Sequence, residues 1–176
     1  MDTNPNPALR RLSYIVVSLA ILLFDQVTKA MIAATIPLHS SISVIEGFFD
    51  LTHVKNRGAA FGLFATIDSP MRTVLLHGVA FGVFFAVLTY AMKSSVAWTR
   101  LQVGLSLILG GALGNLVDRV RFGSVTDFLD FYVGSHRWPA FNVADSAITI
   151  GVCLLALDIW RKPEQPVPTS QRPAAA

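Results

Sequence analysis

Four apolar runs, each close to the length needed to cross a bilayer, constrain this chain more than any other feature of its sequence. They lie at Leu12 to Ile32, Thr73 to Met92, Leu101 to Val117 and Phe141 to Trp160. About 20 residues at 1.5 Å rise span a hydrocarbon core of roughly 30 Å. No proline interrupts any run. Pro70 and Pro139 fall just before the second and fourth, where the first helical turn needs no N–H donor. The rest of the composition agrees: 53% of the 176 residues are hydrophobic and 14% are charged, and the mean hydropathy is +0.55, too apolar for a soluble domain of this size.

The expectation is an all-α polytopic membrane protein of four transmembrane helices, a single membrane-embedded domain over residues 1–176. Between Ile42 and Val54, β-branched and aromatic residues surround Gly47 and predict one or two short strands, a small extramembrane β element between the first and second helices. The ends, Met1 to Leu9 and Pro163 to Ala176, are rich in proline and small or polar residues and read as disordered tails. Arg10 and Arg11 precede the first run as in a signal peptide, yet no clear small-x-small cleavage site follows, which favours an uncleaved anchor. An even number of spans places both termini and the short Lys93 to Arg100 connection on one side, and two long polar loops on the other. Seven Lys or Arg residues fall on each side, so the positive-inside rule does not set the orientation.

The net charge of +3 and the pI near 9.4 do not indicate nucleic acid, because no basic stripe interleaved with aromatics is present and the cations sit mainly between apolar runs. Cys153 is the single cysteine, so neither a disulfide framework nor a cysteine metal site can form; its place in an apolar run reads as an inert core thiol. His39, His53, His77 and His136 are scattered without metal-ligand spacing, and no metal is expected.

A carboxylate in a span costs roughly 2.5–3.5 kcal/mol on insertion scales, so each intramembrane aspartate needs a reason. Asp145 lies four residues into the fourth run, about 6 Å along the helix and near one membrane surface. Asn142, three residues earlier, shares its face. Asp158, at the far end beside Arg161, reads as an interfacial charge. The preceding loop offers Asp127 and Asp130, either of which could meet Asp145. Two carboxylates in one site cannot both ionise cheaply, so they hold one proton between them. The ionised member then takes a proton from water while the protonated member polarises a carbonyl. Asn115 and Arg119, four apart at the end of the third run, could orient an aspartate or bind a peptide backbone. Gly110 and Gly114 have the small-xxx-small spacing of close helix approach. A transporter would string its aspartates along one path. Instead Asp145 and Asp158 are separated by about 20 Å of largely apolar helix. A non-catalytic lipid-binding subunit would not need both Asp127 and Asp145.

Five motifs in order resemble the lipoprotein signal peptidases, the signal peptidase II family. They are Asp25-Gln26-Val27-Thr28-Lys29; Asn56-Arg57-Gly58-Ala59-Ala60-Phe61-Gly62; Gly110 to Asn115 with Asp118-Arg119; Gly123-Ser124-Val125-Thr126-Asp127-Phe128; and Phe141-Asn142-Val143-Ala144-Asp145. The resemblance runs from about Leu12 to Arg161. It implies an intramembrane aspartic endopeptidase with Asp127 and Asp145 as the catalytic dyad, and so selects Asp127 over Asp130. It implies that Asn115, Arg119 and Asn142 line the site and that Asn56 and Gly58 lie in a segment over the substrate. The implied substrate is a bacterial prolipoprotein carrying diacylglycerol on its cysteine, cut just before that cysteine. The implied place is the bacterial inner membrane, both termini cytoplasmic and the dyad near the periplasmic face. Membrane lipids are the expected surrounding partners, a monomer is the expected state, and no cofactor is expected.

Overall fold

A computed structural model describes residues 7–58, 70–93 and 100–160 of the chain. The expected C-terminal tail and residues 1–6 of the expected N-terminal one lie outside these residues, as do Ala59 to Gly62 of the second motif. Four helices are present: α1 (Pro7–Thr35), α2 (Pro70–Lys93), α3 (Arg100–Phe122) and α4 (Val143–Trp160). α1 to α3 each cover one of the apolar runs, and α4 covers the fourth from Val143 on. α1 begins at Pro7, ahead of the run itself and inside the stretch expected to be a tail. Among the described residues, Leu12–Thr35 and Arg100–Phe122 are the two helical stretches long and apolar enough to cross a bilayer by that measure.

The chain is not all-α. Strands β1 (Ser41–Ile45), β2 (Phe49–Asn56), β3 (Val125–Val133) and β4 (His136–Arg137) form a four-stranded antiparallel sheet in the order β1-β2-β3-β4. The expected β element supplies only half of it. The other half comes from the α3–α4 connection, where Val125 to Val133 carries the β-branched and aromatic residues that suit a pleated surface. β2 and β3 join the two long connections, pairing Asn56 with Val125, Val54 with Asp127 and Leu51 with Leu129. Two residues of β2, Thr52 and His53, thus oppose the single Phe128 of β3. This bulge lies immediately beside Asp127 and re-aims the end of β2.

α3 is the central helix, with α1 and α4 packed closely on it. An added Cβ on Gly111 would meet the Ala144 carbonyl oxygen well inside van der Waals distance, and one on Gly114 would strike the Asp25 carboxylate. The small residues therefore let α3 touch the backbone of α4 and a buried charge of α1. α3 ends at Gly123, whose positive φ of 69° and N–H bond to the Arg119 carbonyl form a left-handed C-cap and turn the chain into β3.

Polarity is inverted relative to a water-soluble bundle. Asp25, Lys29, Gln102, Ser106, Asn115 and Asp118 are buried, whereas Leu12, Ile15, Leu19, Leu23, Phe24 and Met31 on α1 and Ile150, Val152 and Leu157 on α4 are exposed. Such continuous apolar faces suit hydrocarbon as solvent. Cys153 also lies on this exposed face, which corrects the expectation of a core thiol. A smaller apolar cluster of Ile32, Ile36 and Phe128, with Leu51, Leu129 and Val143 against it, seats the sheet on the helix ends.

Candidate active site

The start of α4 explains the position of Asp145. Asn142 is its N-cap: the Asn142 Oδ1 accepts the Asp145 N–H at 2.9 Å, and Asp145 Oδ2 accepts the Asn142 N–H at 3.2 Å. This is a reciprocal capping box with aspartate in the third helical position. The carboxylate is thereby fixed in the first turn, where the helix dipole favours negative charge. Phe141, just before the cap, pairs with Leu129 of β3 through backbone bonds of 2.8 and 3.1 Å. That pairing carries Asn142 alongside Asp127.

Three amide side chains then join the two carboxylates. Asn142 Nδ2 donates to Asp127 Oδ1 at 2.7 Å and to Asn115 Oδ1 at 3.2 Å. Asn115 Nδ2 donates to Asp145 Oδ1 at 2.7 Å. From β2, Asn56 Nδ2 donates to Asp127 Oδ2 at 3.0 Å, while its Oδ1 accepts the Gly58 N–H at 2.8 Å. Gln26 lies apart from this set, donating to Asp118 Oδ1 at 2.9 Å. Asn142 has no exposed surface and Asp127 is 3% exposed. Burial pushes the Asp127 carboxyl up to about 7, the nearby charge of Asp145 adds to the rise, and the amide bonds from Asn56 and Asn142 and the charge of Lys29 oppose it.

Asp127 and Asp130 lie three apart on one strand and so point to opposite faces. Asp130 sits across from Asp50 and pairs with Arg137, which also reaches Asp50 at 3.3 Å and lies 4.1 Å over the Tyr132 ring. Asp130 is thus held in an ion pair at the edge of the sheet, and Asp127 alone of the two faces Asn142 and the start of α4. Arg119 is on the same side as Asn115: its Nη2 donates to the Gly58 carbonyl and its Nη1 to the Asn115 carbonyl, both at 3.4 Å. All seven residues expected at the site, Asn56, Gly58, Asn115, Arg119, Asp127, Asn142 and Asp145, meet in this one network.

Beneath it lies a buried ionic group for which the sequence supplied a motif but no role. Lys29 Nζ contacts Asp25 Oδ2 at 2.8 Å, Asp118 Oδ2 at 3.2 Å and Asn115 Oδ1 at 3.0 Å. The exposures of Lys29, Asp25 and Asp118 are 4%, 0% and 2%. The signal was available: charged residues inside otherwise apolar runs, each of which must find partners. No cluster of His, Cys, Asp or Glu suited to hold a metal ion occurs among the described residues.

Residues 17–161 match the family model described as Signal peptidase (SPase) II. The lipoprotein signal peptidase of Desulforapulum autotrophicum is 49% identical over 143 residues, covering 81% of this chain and 88% of its own. That of Solibacter usitatus is 44% identical over 164 residues, covering 90% and 96%. A solved bacterial membrane enzyme superposes with a TM-score of 0.76 at 34% identity, covering 88% of this chain and 94% of its own.

Proposed function

Because the chain belongs to the signal peptidase II family and is a membrane peptidase that removes signal peptides from prolipoproteins, we propose that it works as an aspartic endopeptidase with Asp127 and Asp145 as its dyad. The observation that carries this reading is the amide chain from Asn56 through Asp127, Asn142 and Asn115 to Asp145. It converges two carboxyl groups from separate elements at the foot of one helix.

In the working state one carboxyl is protonated and the other ionised. A water held between them gives a proton to the carboxylate as its oxygen attacks the scissile carbonyl carbon, while the carboxylic acid donates to the carbonyl oxygen. The tetrahedral intermediate collapses as the leaving nitrogen takes up a proton from the dyad, and no covalent enzyme intermediate forms. The amides orient the two acids and leave their outer lone pairs for water and substrate. Arg119 and the Gly58 backbone present polar groups that a peptide chain emerging from the bilayer could pair with. A peptide bond inside a helix in hydrocarbon is internally satisfied and dry, so cleavage belongs at the interface, where the first turn of α4 lies.

The proposed substrate is a diacylglyceryl-modified prolipoprotein cut just before the lipidated cysteine, with the acyl chains remaining between helices in the bilayer. α1 to α4 each cross the bacterial inner membrane, both termini cytoplasmic and the sheet and dyad on the periplasmic side. The enzyme acts as a monomer, without metal or cofactor. The test is cleavage of a lipidated prolipoprotein by pure protein in detergent. Asp127→Asn and Asp145→Asn should each lose turnover while folding, with the double variant no worse than either, as expected for groups acting as a unit. Asp130→Asn, whose carboxylate is committed to Arg137, should be far milder. Near wild-type turnover by a well-folded Asp127→Asn or Asp145→Asn protein would remove the dyad.

A further inference from the structure

The motif Asp25-Gln26-Val27-Thr28-Lys29 contributes two buried charged side chains, Asp25 and Lys29, that the proposed chemistry does not use. Their bonding has a pattern. Asp25 Oδ1 accepts the Ala144 N–H at 2.9 Å, and Ala144 immediately precedes Asp145. Asp118 Oδ2 accepts the Thr126 N–H at 3.0 Å, and Thr126 immediately precedes Asp127. Lys29 holds both of these carboxylates and, with its third N–H, the Oδ1 of Asn115. That last bond, together with the one Asn142 Nδ2 donates to the same oxygen at 3.2 Å, decides which way the Asn115 amide faces, because both partners donate. The oxygen must face Lys29, so the Nδ2 must face Asp145, as it does at 2.7 Å.

We infer that Lys29 is a positioning residue for the reaction: through Asp25 and Asp118 it fixes the backbone just before each dyad aspartate, and through Asn115 it fixes the amide between them. This inference rests on the proposed dyad. A lysine that served packing or ion-pair stability alone would need no contact with Asn115. Its two carboxylates would also have no reason to grip the two peptide groups adjoining Asp127 and Asp145. The first motif of the chain thus acts on residues about 90 to 120 positions away by setting the spacing of two acids that it does not itself touch.

Lys29→Met keeps the length of the side chain and removes both charge and donors, but leaves two buried carboxylates without their cation. Lys29→Met with Asp118→Asn avoids that difficulty: two carboxylates and one ammonium carry a formal charge of −1, and so does the single remaining Asp25. The double variant keeps the charge of the cluster and loses the grip on Asn115. Turnover is measured per folded molecule on a lipidated prolipoprotein, with melting curves alongside. The expected result for both variants is a fall in kcat of about 100-fold, the scale of a misplaced catalytic group, with KM changed less than about threefold because binding along the helices is untouched.

A second reading comes from pH. Asp127 is faced by Asp145 of α4, Lys29 of α1 and Arg119 of α3, and by the neutral Asn56 of β2. Removing the Lys29 charge should move the activity optimum of Lys29→Met upward, since protons on the pair are then held more firmly. A folded charge-balanced variant with kcat within threefold of wild type, or one that loses only KM, overturns the inference and leaves the dyad standing, provided Asp127→Asn and Asp145→Asn are inactive. Cleavage by those aspartate variants would overturn the dyad and the inference with it.

Discussion

Replacing Asp127 by asparagine should stabilise the protein while abolishing its chemistry, and the gain should depend on pH. The carboxyl stands at about 7 in the folded chain against an ordinary 3.8. A folded-state value above the unfolded one means that the folded protein holds the proton more firmly, so stability falls as pH rises through that interval. About 3 units at about 1.4 kcal/mol each gives at most ~4 kcal/mol, of which roughly 2–3 kcal/mol develops between pH 5 and 8. The substituted amide cannot ionise and escapes this loss. It does introduce a cost of its own: both Asp127 oxygens accept amide N–H groups, and the Nδ2 of the new side chain would face one of those donors, for roughly 1 kcal/mol. That cost does not vary with pH. The decisive quantity is therefore the change in the Tm difference between the two proteins from pH 5 to pH 8. It should move by about 5–10 °C in favour of Asp127→Asn if each kcal/mol is worth about 2–4 °C. Melts in detergent across that range provide the assay. Parallel Tm–pH curves for the two proteins would refute the burial argument.

Three further outcomes are expected. Gly111→Ala, whose new methyl would press on the Ala144 backbone carbonyl, should cost about 1–3 kcal/mol and lower turnover by pushing α4 from α3, read by melting and cleavage together. Cleavage should persist in excess EDTA, and loss restored by a divalent ion would point to a metallopeptidase. Cysteines placed at Val44 and Ser135 should be labelled from the periplasm and one at Ser94 from the cytoplasm; labelling of Ser94 from outside would reverse the proposed orientation.

The four helices were legible because each coincides with a run of apolar residues and two of those runs begin just after a proline. Asp145 was legible for a related reason, as a charge one turn into such a run. β3 was not. Thr126, Asp127 and Asp130 interrupt the apolar residues of Val125 to Val133 at no regular interval, and the segment shows no alternation because its first four residues, polar and apolar alike, are all buried. Its partner, β2, is about 70 residues away, beyond the reach of any local pattern. Spacing left Asp127 and Asp130 equivalent. Only strand geometry, which turns them to opposite faces and gives Asp130 to Arg137, separates them physically. Gly110 and Gly114 stood out by their interval, whereas Gly111, which touches the Ala144 backbone, belongs to no such interval. Asn142 read as a neighbour of Asp145 on one helical face, but its principal work is to cap α4 and bond Asp127.

The bond from the Ala144 N–H to Asp25 closes a loop across 119 residues. Lys29 reaches Asn115 across 86, and Asn56 reaches Asp127 across 71. Contacts so distant along the chain are among the last to form, because the entropy of the intervening loops must be overcome first. A nascent chain that has laid down α1, α2 and the first hairpin owns neither acid, and one that has just completed α4 owns both acids but not yet their spacing. If the two acids carry the reaction as proposed, hydrolytic power in this fold is a property of the finished chain. On the proposed dyad, partly assembled copies would be inert toward the membrane proteins around them, and the onset of cleavage after synthesis would time the closing step of folding.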